Sequence, residues 1–216
     1  MEGDALAAVI KARRSIRKWQ DRPVPEEVLK QAVELATWAP NGGNYQGWRF
    51  VAVTNRTVIV RMADAVQAVA DTISAWPEGA SWPEEVEKAR KHSSYFRNAP
   101  VCIGVFVSRY LSAADKLLLA REQIDEEARR ILSYRRSAPT AIQSAAAAVT
   151  TLLLAFQAAG LGAVWLGAPL IAKRELETLL NAPAEASLVC LVAAGYPAES
   201  PRRDRRPVEE VLEFIR

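Results

Sequence analysis

The sequence predicts a single α+β domain, residues 1–216, in which helices flank a small central mixed β-sheet. Half of the residues are hydrophobic and a quarter are charged, which is typical of a folded, water-soluble chain. Four runs have strand character, and six or seven helical segments are interleaved with them. A chain of this length and pattern most simply forms layers of helices around one sheet and one core.

The predicted strands fall into two kinds. Two are apolar runs: 101–107, and 188–195, which has the character of a buried strand. The other two, 49–54 and 163–167, are short, and the second lies between the glycines of Gly160-Leu-Gly162 and the turn Ala168-Pro169. The chain therefore supplies enough strands for one small sheet.

The predicted helices are 5–12, a segment that follows Pro25 and ends near Thr37, 56–73, 84–92, a charged helix within 109–136, 140–159 and 173–180. Helix 140–159 is apolar all round, so we expect it to be buried on every side, and its alanines permit close approach to another helix, including one of a second subunit. Segment 208–216 has apolar residues but no room for a core of its own. It is expected to dock on its own chain or on a partner.

Composition excludes several classes of function. A net charge of +3 and the lack of aromatics among the basic clusters do not favour nucleic acid. Cys102 and Cys190 lie in apolar runs and are expected to be buried, reduced thiols. With His92 as the single histidine, no metal site is expected. The acidic start of the chain differs from a secretion signal, and no stretch is clearly a membrane span, so we expect a cytoplasmic protein that does not bind membranes.

Two clusters of basic residues suggest an anion site. Arg13, Arg14, Ser15 and Arg17 crowd three cations around a hydroxyl, and arginine forks match phosphate oxygens. The alternative is a solvated basic end of a helix. Segment 202–206 has four arginines in five positions; it is either a second arm of the anion site or a solvated basic tail. Two nucleotide-binding motifs are absent. The dinucleotide-binding fingerprint is excluded because Gly160-x-Gly162 follows a helix and lacks the third glycine, and the P-loop is excluded because no Lys-Ser/Thr accompanies 162–167.

Two loops are candidates for ligand contacts. The stretch Trp38-Ala-Pro-Asn-Gly-Gly-Asn-Tyr-Gln-Gly-Trp48 combines glycines with amide side chains that suit the edge of a flat heterocycle, although an ordinary Asn/Gly turn has the same composition. The loop that contains Trp76 and Trp82 is either the wall of a pocket or a surface loop anchored by its aromatics.

At these residues the chain resembles the nitroreductase family of FMN-dependent oxidoreductases. The resemblance covers nearly the whole length and rests on the order of its motifs. These are Arg13-Arg-Ser-Ile-Arg17, Pro23-Val-Pro25, Ala39-Pro-Asn-Gly-Gly-Asn-Tyr-Gln-Gly-Trp48, Phe96-Arg-Asn-Ala-Pro100, Ala159-Gly-Leu-Gly162, Trp165-Leu-Gly167 and Gly195-Tyr-Pro197 before the arginine-rich tail.

The resemblance implies an intertwined homodimer with two FMN sites at the subunit interface. By position, Arg13, Arg14, Ser15 and Arg17 would hold the phosphate, ribityl and pyrimidine side of FMN, and Arg203 and Arg205 would complete the phosphate site. Pro40, Asn41, Asn44 and Gln46 would reach the flavin from the other subunit. Leu166 and Gly167 would present backbone N–H groups to its N5 and C4 oxygen. Segment 208–216 would wrap the partner.

The implied activity is ping-pong hydride transfer from NADH or NADPH, through FMN, to an electron-poor nitroaromatic, quinone or enone, with no catalytic side chain and with Tyr45, Trp76 and Trp82 in the acceptor pocket. The chain departs from the usual family pattern at Asn41 (commonly serine), Gly47 (commonly proline) and Thr151 (often asparagine). The same fold leaves open dehalogenation, flavin fragmentation, heterocycle dehydrogenation and non-catalytic flavin binding.

Overall fold

The computed structural model describes residues 2–216 and places the helices and strands close to the predicted bounds. The α-helices are α1 (Glu2–Ala12), α2 (Glu26–Thr37), α3 (Arg56–Ser74), α4 (Pro83–His92), α5 (Ala113–Arg121), α6 (Glu126–Ser137), α7 (Thr140–Ala158) and α8 (Lys173–Leu179). The strands are β1 (Trp48–Val53), β2 (Val101–Ser108), β3 (Gly162–Leu166) and β4 (Ala186–Gly195).

The sheet has the strand order β1-β2-β4-β3, and all three strand pairs are antiparallel. The α+β fold is confirmed, but the expectation of a mixed sheet was wrong for these four strands. Among residues 2–216, parallel pairing occurs only as an isolated bridge between Ser15 and Ala163. Hydrophobicity does not reveal strand direction, which depends on how the connecting helices return the chain.

The two inner strands, β2 and β4, are covered on both faces, so the domain has two apolar layers. One layer joins α2 and α7 to the sheet through residues such as Val101, Ile103 and Phe156. The other joins α3 and α8 through residues such as Phe96 and Phe106. Burial on both faces explains why these strands read as unbroken apolar runs. Cys102 and Cys190 are buried free thiols, as predicted, and burial raises the pKa of each to about 12.

Two expectations about helices were wrong in detail. The charged segment 109–136 forms two helices, α5 and α6, because Asp125 caps a new helix by accepting a hydrogen bond from the backbone N–H of Ala128 at 3.0 Å. Helix α7 is not buried on every side in one chain: Ile142 is 45% exposed, and Thr150 is exposed as well. Its buried face packs on α2, β2 and β3.

In the described part of the chain, one helical stretch, Glu126–Ala158, is long and apolar enough to cross a membrane by length and composition. The same property is found in core helices of folded domains, and 39% of the apolar window is buried here. The stretch is also interrupted, since Ala138 has non-helical backbone angles between α6 and α7.

Candidate functional site

The segment that follows α1 lies along the outer edge of β3. The backbone N–H of Ile16 donates to the carbonyl of Ala163 at 3.2 Å, next to the bridge between Ser15 and Ala163. The indole N–H of Trp19 donates to the carbonyl of Gly162 at 2.9 Å. A Cβ at Gly162 would lie 2.5 Å from Cγ1 of Ile16, so this close approach requires glycine. The predicted basic cluster is thus held against a strand from the far end of the sequence.

Three arginines meet here without a neutralising carboxylate. Burial lowers the pKa of Arg13, and the nearby charges of Arg205 and Arg14 lower it further. Arg14 donates through one terminal nitrogen to the carbonyls of Lys11 and Arg13 at 2.6 and 2.7 Å, but its Nε is buried with no hydrogen-bond partner. Among residues 2–216, none of the three arginines forms an ion pair. An unpaired buried donor beside crowded cations has the chemistry of an anion site.

Two residues beside this cluster, Glu199 and Tyr95, were not predicted as site residues from the sequence. Glu199 accepts hydrogen bonds from the backbone N–H groups of Arg17 and Lys18 at 2.6 and 3.2 Å and so fixes the exit of the segment. Tyr95 is half-buried, and burial raises its pKa although the nearby charge of Arg17 opposes the shift. The other tail arginine, Arg203, is exposed, and no hydrogen bond from its side chain is found in the described part of the chain.

The amide-rich loop lies before β1 and has a strained backbone. Gly43, Asn44 and Gln46 have φ values of 61°, 50° and 50°, in the left-handed region. Asparagine tolerates this region through local hydrogen bonds, but for glutamine it is uncommon. Strain of this kind is retained where surrounding contacts or function impose it.

The loop satisfies part of its polar capacity internally. Asn41 Oδ1 accepts from the backbone N–H of Gln46 at 3.0 Å, and the Gln46 side-chain amide donates to Asn44 Oδ1 at 3.1 Å. Gly42 donates its backbone N–H to Ser144 Oγ of α7 at 3.2 Å. Pro40, Asn44 and Gln46 are exposed, so the tip of the loop faces away from its own core.

The arginine cluster and the amide loop lie at opposite outer strands of the sheet. The loop precedes β1 and the arginines border β3, while β2 and β4 lie between. Three strand spacings separate the outer strands by roughly 14 Å. The start of β1 and the end of β3 are also offset along the strands. Trp48 pairs with Val107 near the end of β2, whereas Leu166 pairs with Leu191, which lies opposite Gly104 in the middle of β2. One chain therefore presents both predicted halves of the site but does not bring them together.

At the end of β3, Leu166 is buried whereas Gly167 is exposed. A Cβ at Gly167 would meet nothing within 4 Å in this chain. Its φ of −89° is open to any residue. Its own chain therefore does not require glycine here, in contrast to Gly162.

The predicted pocket aromatics lie in two places. Tyr45 packs on Tyr110 with ring centroids 5.4 Å apart, and its hydroxyl accepts from Ser108 Oγ at 3.2 Å. Trp76 and Trp82 are 56% and 60% exposed around a short 3₁₀ turn after α3. In the described chain, no hydrogen bond links either tryptophan to the arginine cluster or to the amide loop. Their place in an acceptor pocket stays a prediction.

Residues 10–196 match the Nitroreductase family. The chain belongs to this family. An NADH dehydrogenase of Thermus thermophilus is 30% identical over 212 residues, which are 97% of this chain and 95% of that protein.

Two solved structures resemble the fold over nearly their whole length. A BluB-like flavoprotein from Clostridium difficile 630 superimposes with a TM-score of 0.84 at 26% identity, covering 98% of this chain and 99% of that one. The structure of iodotyrosine deiodinase bound to FMN and 3-iodo-L-tyrosine superimposes with a TM-score of 0.70 at 25% identity, covering 98% of this chain and 97% of that one. The predicted family and fold are therefore confirmed.

Proposed function

We propose that this protein is an FMN-dependent oxidoreductase that passes hydride from NADH or NADPH to an electron-poor acceptor such as a nitroaromatic, quinone or enone. The observation that carries the proposal is the cluster of Arg13, Arg14 and Arg205 beside β3, which has no carboxylate to neutralise it among the described residues. The relatives named as NADH dehydrogenase and as an FMN-bound enzyme support it.

The residues present fit FMN. Arg13, Arg14 and Arg205 would hold its phosphate, with Ser15 and Arg17 along the ribityl and pyrimidine side and Arg203 as a further candidate. The free Nε of Arg14 would gain an acceptor. An anion would also offset the burial of Arg13 and its repulsion by Arg205 and Arg14, which together lower the pKa of Arg13. The open space at Gly167 would admit a flat ring against the backbone of Leu166 and Gly167.

When bound, FMN supplies reversible two-electron chemistry, and the protein contributes binding, orientation and electrostatics. Arginines near the pyrimidine side would stabilise negative charge that develops on reduction. Pro40, Asn41, Asn44 and Gln46 would exclude water from the ring and orient it through amide contacts. No side chain of the chain is assigned as a proton donor.

The site is proposed to form between two copies of the chain. The roughly 14 Å between the outer strands is bridged if the amide loop of one copy faces the β3 edge of the other. The exposed apolar residues of 208–216 would wrap the partner, and the exposed face of α7 offers a further subunit contact. We propose that the protein acts in the cytoplasm, which suits its two free thiols, Cys102 and Cys190.

The test is an absorption spectrum of the purified protein, followed by anaerobic addition of NADH or NADPH. A yellow protein that bleaches with either donor and regains its colour with a nitroaromatic or quinone supports the proposal. A yellow protein that neither donor reduces refutes the nicotinamide step, and a colourless protein that takes up no added FMN refutes the whole proposal.

A second candidate is reductive dehalogenation, because the deiodinase structure resembles this chain over 98% of its length. It is distinguished by reducing the flavin chemically and adding 3-iodo-L-tyrosine: release of iodide favours dehalogenation, and its absence together with turnover of a nitroaromatic favours the first proposal.

A further inference from the structure

A cleft of about 520 Å³ lies between α5, α6 and the start of α7. Its volume is within the range of small-molecule sites. Its walls combine apolar side chains such as Leu119 and Leu132 with three arginines, Arg109, Arg135 and Arg136, and with Tyr110. Apolar walls beside cations suit a ligand that has both a hydrophobic ring and a negative group.

The cleft adjoins the amide loop through Tyr110. This side chain lines the large cleft and also the small recess beside Tyr45, Asn41 and Gln46. A Cβ at Gly43 would lie 2.4 Å from the hydroxyl of Tyr110, so the ring rests directly on the loop. A molecule in the cleft would therefore extend toward the loop that is proposed to face the flavin.

The charges of the cleft are unequally matched. Arg135 is paired with Asp115 through two hydrogen bonds, and Arg136 is paired with Glu122 at 2.5 and 2.9 Å. Arg109 is exposed and has no ion pair among residues 2–216. The guanidinium of Arg109 can therefore bind an anionic ligand.

The cleft offers nothing equivalent for a ligand cation. Asp115 is the one carboxylate among its described lining residues, and both oxygens are committed. Its Oδ1 accepts from Arg135, while its Oδ2 accepts from Ser112 N and Oγ at 2.8 and 2.6 Å and from Arg135 at 3.0 Å. These contacts hold the pKa of Asp115 well below its usual range, so the carboxylate stays ionised and bonded to its own chain. An ammonium group would lack a partner here.

From this geometry we propose that the acceptor is a small aromatic acid, held by its carboxylate at Arg109, and not an amino acid zwitterion. The role as acceptor rests on the proposed function, because the cleft by itself shows binding chemistry and not reduction.

The test compares 4-nitrobenzoate, 4-nitrobenzamide and 4-nitrophenylalanine on the FMN-loaded protein, by calorimetry without reductant and by kcat and KM with reductant. We expect the acid to bind about tenfold more tightly than the other two, as a charged hydrogen bond typically provides. Arg109→Gln should remove that advantage, with KM raised about tenfold more for the acid than for the amide. Arg61→Gln on α3 removes an equal charge outside the cleft and should leave the preference intact.

Equal binding of acid and amide, tighter binding of 4-nitrophenylalanine, or an equal loss in both arginine variants would overturn the inference. Calorimetry separates this failure from failure of the proposed function. If the acid binds selectively at Arg109 but neither it nor the amide is reduced, the aromatic-acid site stands and the oxidoreductase activity fails.

Discussion

The β3 edge of the sheet and the β1 edge hold their functional residues in different ways. At β3, the segment around Ser15 is bonded to the strand, and Arg205 from the far end of the chain lies near enough for its charge to act on Arg13. At β1, the loop 40–46 is exposed, strained and bonded mainly to itself. The first region gathers its arginines within one chain, whereas the second presents its amide groups at an exposed loop tip that faces away from its own core. This difference is the reason for proposing that a second copy of the chain joins the two edges.

The largest expected effect comes from removing the segment proposed to hold the two copies together. Deletion of 208–216 takes away five exposed apolar side chains, Val208, Val211, Leu212, Phe214 and Ile215. Burying each against a partner contributes about 1 kcal/mol or more, so we expect dissociation to monomers and loss of FMN. Sedimentation and flavin absorbance measure both. Glu213→Gln is the control, and a truncated protein that remains dimeric and yellow would contradict the proposed wrapping.

The next effect tests the β3 edge directly. Arg13→Gln removes a charge that the structure leaves unpaired, and a charged hydrogen bond is worth about 1.5–3 kcal/mol. We expect FMN to bind about 10- to 100-fold more weakly, as measured by quenching of flavin fluorescence. Arg174→Gln on α8 makes the same change of charge elsewhere. Equal affinities for wild type and Arg13→Gln would show that the cluster is a solvated basic surface.

A smaller effect separates a glycine required by the fold from one proposed to be required by the cofactor. Gly167→Ala places a methyl in open space, so the melting temperature should stay unchanged while FMN affinity falls about tenfold through a poorer fit. Gly162→Ala introduces a clash with Ile16, so it should lower both the melting temperature and the affinity for FMN. If Gly167→Ala binds FMN as the wild type does, the flavin does not approach that strand end.

The smallest effect tests the strain at the β1 edge. Gln46 and Asn181 have nearly the same φ, 50° and 48°. Replacing glutamine by glycine removes a left-handed backbone cost of about 1–2 kcal/mol, offset by about 0.5–1 kcal/mol of added chain entropy. Gln46→Gly should therefore gain about 0.5 kcal/mol in the free energy of unfolding, and Asn181→Gly should gain less, because asparagine tolerates this region. Asn181→Gly should leave turnover unchanged, whereas Gln46→Gly should lower it. Unchanged turnover in both would show that the strained loop has no contact with the reacting groups.

The sequence determined the parts whose signals are local. Continuous apolar runs identified the two inner strands, because strands covered on both faces have no polar alternation. The glycines and the caps set most helix ends within one or two residues, since they act on neighbouring backbone groups. The order of the motifs identified the family, and with it the candidate residues.

Only the tertiary structure decided which distant residues meet. The antiparallel direction of the sheet, the exposed face of α7 and the approach of Arg205 to Arg13 depend on packing between segments far apart in the sequence. The free cation of the cleft is likewise a tertiary property: the alternating charges of 109–136 look alike along the chain, and folding pairs Arg135 and Arg136 but leaves Arg109 unpaired among the described residues. Charge pairing depends on distance in space, which the spacing of residues along a folded chain does not specify.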